Sequence, residues 1–61
     1  MTVCEQLAVK NRENGERVTA WKMLDKFSTV YRYEITVSKN GIAYEVVKTA
    51  RTTWKKKFNE M

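Results

Sequence analysis

The stretch Arg12-Glu13-Asn14-Gly15-Glu16-Arg17, RENGER, admits two folds. Glycine takes positive φ without a steric cost, so Gly15 suits either the left-handed end of a helix or the tip of a β-hairpin. As a two-residue hairpin turn, Asn14-Gly15 sets Glu13 opposite Glu16 and Arg12 opposite Arg17. Two successive like-charge pairs destabilise a sheet. A helix end meets no such repulsion, so the stretch reads as helix, glycine stop, helix.

The flanks support that reading. Upstream, Thr2 and Glu5 have the spacing of a capping box, in which the threonine accepts the N3 amide and the glutamate reaches back. A helix over about 3–12 follows, with Val3, Cys4, Leu7 and Ala8 as its apolar stripe. Downstream, ERVTAWKMLDKFS at 16–28 fits a second helix. At about 100° per residue, Ala20, Trp21, Met23, Leu24 and Phe27 share one arc, and Thr19, Lys22, Asp25 and Lys26 the other.

Residues 30–48 read differently. Tyr31, Tyr33, Ile35 and Val37 alternate with Arg32, Glu34, Thr36 and Ser38, the period of a half-buried strand. Asn40-Gly41 follows, the dipeptide that most readily forms a type I′ turn. A two-residue loop sets Val37 opposite Tyr44 and Ile35 opposite Val46, so both apolar faces coincide. At the end, Thr49 or Thr52 caps a basic helix over about 50–60, with Ala50, Trp54, Phe58 and Met61 on one side. The expected fold is therefore a single α+β mini-domain, helix-helix-β-hairpin-helix. Its core is Trp21, Leu24, Phe27, Tyr33, Ile35, Tyr44, Val46, Trp54 and Phe58.

Size limits what such a domain can do. Sixty-one residues bury only about 60% of the unfolded surface, a thin margin for stability. Small domains compensate with disulfides, metal or self-association. Cys4 is the sole cysteine and there is no histidine, so neither a disulfide nor a zinc site is expected. Association as a homo-oligomer is the remaining device. No apolar run approaches the ~20 residues of a membrane span, and MTVCEQLAVKN lacks the basic start and apolar core of a signal peptide. A cytoplasmic, reducing location without membrane contact is expected.

Catalysis finds little support. Histidine, the commonest general acid–base, is absent, and no glycine-rich loop is present to hold phosphate. Glu34 and Glu45 are the one carboxylate pair of interest, as diagonal neighbours on the hairpin's polar face about 7–8 Å apart. A flat face suits a solvated pair better than a hydrolase site. The expectation is a protein that is not an enzyme, without cofactor, metal or small-molecule substrate.

The charge points elsewhere. Residues 1–30 carry five basic and four acidic side chains, a net +1, whereas residues 31–61 carry seven and three, a net +4. Within 48–57 stand Lys48, Arg51, Lys55, Lys56 and Lys57 with no acid, the composition expected of phosphate contacts. Trp54 beside Lys55 could stack an unpaired base, but its spacing with Phe58 favours the core, with both rings inward and the lysines left available. These five are the candidate nucleic-acid contacts, with Lys22, Lys26 and Lys39 a weaker set. The expected role is regulatory or accessory.

Two resemblances follow from this layout. Gln6-Leu7-Ala8 in a first helix, WKMLDKF in a second and a following hairpin resemble the helix-turn-helix and wing of winged-helix proteins across residues 5–48. That resemblance implies Thr19, Lys22 and Lys26 in the major groove and Lys39 and Asn40 at the tip of the wing. It departs in lacking a further N-terminal helix, in the length of RENGER and in the weakly basic recognition face. The hairpin followed by a basic helix also looks like the end of double-stranded-RNA-binding domains and sheet-type DNA readers, but no third strand is evident.

The competing class is a small regulator or inhibitor that binds another protein through its hairpin. Arg32, Glu34, Thr36 and Glu45 would form a mixed-charge polar face suited to a protein partner, and the two hairpin edges are open to strand addition.

Overall fold

The computed structural model describes residues 2–25 and 31–61. Four strands, β1 (Thr2–Asn11), β2 (Glu16–Asp25), β3 (Tyr31–Lys39) and β4 (Ile42–Thr49), are followed by one short helix, α1 (Trp54–Glu60). They form one antiparallel sheet in the order β1-β2-β3-β4. The expected helix-helix-β-hairpin-helix fold is thus corrected: both N-terminal helices are strands. Lys26, Phe27 and Val30, the end of the expected second helix and the start of the hairpin, lie outside the described residues.

RENGER is a hairpin loop of a different length from the one its charges argue against. Asn11 pairs with Arg17 and Lys10 with Val18. The Arg12 amide donates to the Glu16 carbonyl at 2.8 Å, and the Gly15 amide to the Arg12 carbonyl at 3.2 Å. Glu13-Asn14-Gly15 is therefore a three-residue loop, closed by Gly15 at φ +86°. One additional residue moves the register, so Arg12 meets Glu16 in a 3.1 Å ion pair. The like-charge pairs never form, and the objection to a hairpin disappears.

The helix-like spacing of apolar residues also has a cause. In β1 the register shifts between Gln6 and Ala8, leaving Leu7 as a bulge. Consecutive Leu7 and Ala8 consequently pack on the same core, as two neighbours on a regular strand cannot. In β2, a central strand, apolar residues stand on both faces: Val18 and Ala20 on one, Trp21 and Met23 on the other. Both patterns imitate a helix arc.

The Asn40-Gly41 turn is as expected, with both residues at positive φ (55° and 82°). Beyond it the register departs. A shift after Ser38↔Ala43 leaves Tyr44 out of the pairing, so Val37 lies opposite Glu45 and Ile35 opposite Val47. This bulge exchanges the faces of β4. Val47 joins the core, while Tyr44 and Val46, expected there, are 56% and 54% exposed.

The core lies between one sheet face and α1. It comprises Val18, Ala20, Ile35, Val37 and Phe58, with Leu7, Ala8, Val47, Trp54 and Met61 packed around it. Val18, Ile35 and Val37 are fully buried, each contributing about 1.5–3 kcal/mol. Tyr33 is buried as expected. Trp54 meets Phe58 edge-on, with ring centroids 6.5 Å apart. The helix begins later than expected, with Thr53 rather than Thr49 or Thr52 at its N-cap. The Thr49 hydroxyl instead donates to the Tyr33 carbonyl at 3.0 Å across the strands.

Seven residues make too short a helix to persist alone. Two β1-side cations hold its C-terminal end, where unpaired carbonyls accumulate. Lys10 donates to the Phe58 carbonyl and its ammonium lies 4.6 Å from the centre of the Phe58 ring. Arg12 donates from Nε to the Met61 carbonyl at 2.9 Å while pairing with Glu16. The first hairpin is thereby tied to the last element of the chain.

Candidate nucleic-acid interface

Because α1 packs on one face only, no described element covers the other face of the sheet, termed the open face, although Thr19 is buried among its neighbours there. Alternation assigns its residues. Arg17, Thr19, Trp21 and Met23 come from β2, and Arg32, Glu34 and Thr36 from β3. Val46 and Lys48 are added by β4, set by the pairs Thr36↔Val46 and Glu34↔Lys48. Cys4 and Gln6 lie opposite Met23 and Trp21 on β1.

Charge divides between the two faces. On the covered face the strands carry Glu5, Glu16 and Glu45 against Lys10, Lys22 and Lys39, a balance. On the open face, among the described side chains, Arg17, Arg32 and Lys48 stand against Glu34 alone. All three cations are exposed. Arg51, in the turn between β4 and α1, joins Arg32, Glu34 and Lys48 around a shallow groove at one end of this face.

Trp21 is the largest side chain on the open face. Its indole Nε1 donates to the Thr36 hydroxyl at 3.0 Å, which holds the half-buried ring down across the β2–β3 pair. Beside it is a recess of about 330 Å³ lined by Cys4, Trp21, Met23, Glu34, Thr36 and Ala43. Sequence reasoning placed Trp21 in the core and missed this surface. The signal was present in β2 itself: as a strand, ERVTAWKM sends Val18 and Ala20 one way and Trp21 and Met23 the other.

The expected basic set is divided. Lys48 and Arg51 border the open face, but Lys55, Lys56 and Lys57 are exposed on α1, which packs against the opposite face through Trp54 and Phe58. Among the weaker set, Lys22 lies opposite Glu5 and Tyr33 on the covered face, and Lys39 lies opposite Glu16 there. Lys26 is outside the described residues. The mixed-charge face is also divided. Arg32, Glu34 and Thr36 are on the open side, whereas the Tyr44 bulge puts Glu45 opposite Val37 on the other. Glu34 and Glu45 are therefore not neighbours on one face. The winged-helix layout fails with its helices: Thr19 and Lys22 are in β2, Lys39 and Asn40 at an ordinary hairpin tip.

The Glu16 carboxyl, away from the open face, has a shifted titration. The Asn14 amide, followed by the Arg12 guanidinium and Lys39, outweighs partial burial and holds the Glu16 carboxyl below its ordinary 4.5. Among the described residues, no cluster of three or more His, Cys, Asp and Glu side chains could hold a metal ion. No described helix is long and apolar enough to cross a membrane. No protein-family model, curated protein or solved structure matches the chain.

Proposed function

We propose that the protein binds single-stranded nucleic acid across the open face of its sheet, in a regulatory or accessory role and without catalysis. One observation carries this reading: the uncovered face combines a pinned tryptophan with Arg17, Arg32 and Lys48 against a single described acid, Glu34. Flat π-surfaces flanked by cations bind unpaired bases and phosphates with little dependence on sequence. Arg51 extends the cationic track at one end. Lys55, Lys56 and Lys57 serve as a secondary surface, which a strand meets only after passing round that end. Exposed, unpaired Cys4 fits a reducing, cytoplasmic compartment.

The test is fluorescence anisotropy with labelled single-stranded and duplex oligonucleotides between 50 and 200 mM salt. Four phosphate contacts on a single strand give a logarithmic slope of about −3 and a loss of about fifty-fold over that range. The variant R32A/K48A/R51A should flatten the slope more than K55A/K56A/K57A. Failure to bind any oligonucleotide at 50 mM salt overturns the reading.

A second reading rests on β4. This edge strand exposes Ile42 by 71%, Tyr44 by 56% and Val46 by 54%, beside unpaired backbone groups. Such an edge accepts another strand, from a protein partner or a second copy. Sedimentation velocity of the wild type and of Val46→Lys tests it: a dimer that the lysine dissociates supports self-pairing. A monomer that captures no extended peptide removes this reading.

A further inference from the structure

We infer that the recess beside Trp21 is a subsite for one unpaired guanine, with Trp21 as its stacking wall and Glu34 and Thr36 as its reading groups. This inference deepens the nucleic-acid reading of the open face and rests on it.

Glu34 is the one described residue of the open face that phosphate binding leaves unexplained. A carboxylate on a phosphate-binding surface repels the ligand, yet Glu34 stands directly opposite Trp21 in the β2–β3 register. Directly opposed Cβ atoms lie about 4.5–5.5 Å apart, so the carboxylate borders anything resting on the indole. Lys48 faces it from β4, and Arg32 is two residues away on its own strand. Among the described residues the Glu34 carboxylate nevertheless takes part in no ion pair or hydrogen bond, whereas Glu16 at the far hairpin is held by Arg12. Both carboxylate oxygens are thus available to accept.

Thr36 supplies the complement. Its oxygen accepts from the Trp21 indole at 3.0 Å, which leaves the hydroxyl proton to donate. Glu34 and Thr36, two residues apart on one strand face, both line a recess that is otherwise mostly apolar; in the proposed subsite Thr36 gives the donor and Glu34 the two acceptors. A base must present an acceptor followed by two donors to satisfy that order. Guanine does so on its Watson–Crick edge through O6, N1–H and the N2 amino group. Adenine and cytosine put a ring-nitrogen acceptor against the carboxylate. Thymine and uracil match Thr36 and one carboxylate oxygen, then turn a carbonyl toward the other. A recess of about 330 Å³ is at the small end of ligand pockets, in keeping with one base rather than a folded motif.

The experiment uses nine-residue abasic DNA strands that carry one central base, so that backbone attraction is constant and one base is read. Guanine, hypoxanthine, adenine, cytosine, thymine and no base are compared by anisotropy at 50 mM salt. Guanine should bind about tenfold more tightly than adenine or cytosine, the scale of one good bidentate contact. Hypoxanthine, which lacks the N2 amino group, should fall between. Glu34→Gln should erase the preference for guanine over adenine, and should tighten the strand with no base because one repelling charge is gone. Thermal melting of Glu34→Gln verifies that it folds. Equal binding of all five bases, with binding otherwise intact, overturns the guanine subsite alone. No binding of any strand by the wild type overturns the nucleic-acid reading and this subsite with it.

Discussion

The two faces of the sheet are made by the same strands, and often by neighbouring residues, but they do different work. Val18 and Ala20 turn toward α1 and vanish from solvent, while Trp21 and Met23 turn away and remain half-exposed. Tyr33 and Ile35 are buried; Arg32 and Glu34, one position off, are not. The covered face holds the molecule together through Phe58 and balances its charges. The open face keeps an aromatic ring and an excess of positive charge in reach of a ligand. In the proposed reading, strand parity, reset at the Leu7 and Tyr44 bulges, separates the residues that stabilise the sheet from those that would meet a ligand.

The strongest challenge to this division is substitution at matched aromatic positions. Phe58→Ala should cost about 3–5 kcal/mol, enough to unfold much of so small a domain in urea titration. Trp21→Ala should cost about 1–2 kcal/mol, reflecting half-burial and one lost hydrogen bond, yet abolish detectable single-strand binding. Equal destabilisation by the two would break the distinction between faces.

A smaller effect should follow from the clamp on the covered face. Arg12→Ala removes the donor to the Met61 carbonyl and the partner of Glu16, and should cost about 1–3 kcal/mol. Hydrogen exchange would locate the loss in α1 and the 12–16 loop, with β3 amides least affected. Binding through the open face should survive it.

The smallest effect is a pH dependence. The folded state holds the Glu16 carboxyl below its unfolded value, so Glu16 contributes stability above about pH 4.5. That contribution is lost as pH falls through the lowered folded value. Chemical denaturation at pH 7, 4.5 and 3 should show a decline that Glu16→Gln reduces. An unchanged decline in the variant would assign the acid sensitivity to other carboxyls.

Legibility in the sequence followed local chemistry. Asn40-Gly41 was readable because two successive positive φ angles demand those residue types. The alternation of Tyr33, Ile35 and Val37, and the inward Trp54–Phe58 pair, were readable from spacing. RENGER was misread through a single residue of loop length, which converts repelling pairs into the Arg12–Glu16 attraction. Bulges at Leu7 and Tyr44 were not readable, since neither residue carries a signature such as glycine, and each shifts register by one. That shift moved Glu45, Tyr44 and Val46 to unexpected places and kept the two-period pattern of β1 out of view. The basic run was visible as composition, but its division between β4 and α1 depended on the helix packing against the face that Lys48 leaves.

The most direct test of the central claim uses the two tryptophans of the chain, one on each side of the sheet. Their indole N–H resonances should be followed by NMR as a single-stranded oligonucleotide is titrated at low salt. The account predicts a progressive, saturable shift of the Trp21 indole with little change at Trp54. A shift of Trp54 with Trp21 unmoved would put the ligand on the helix side and contradict it.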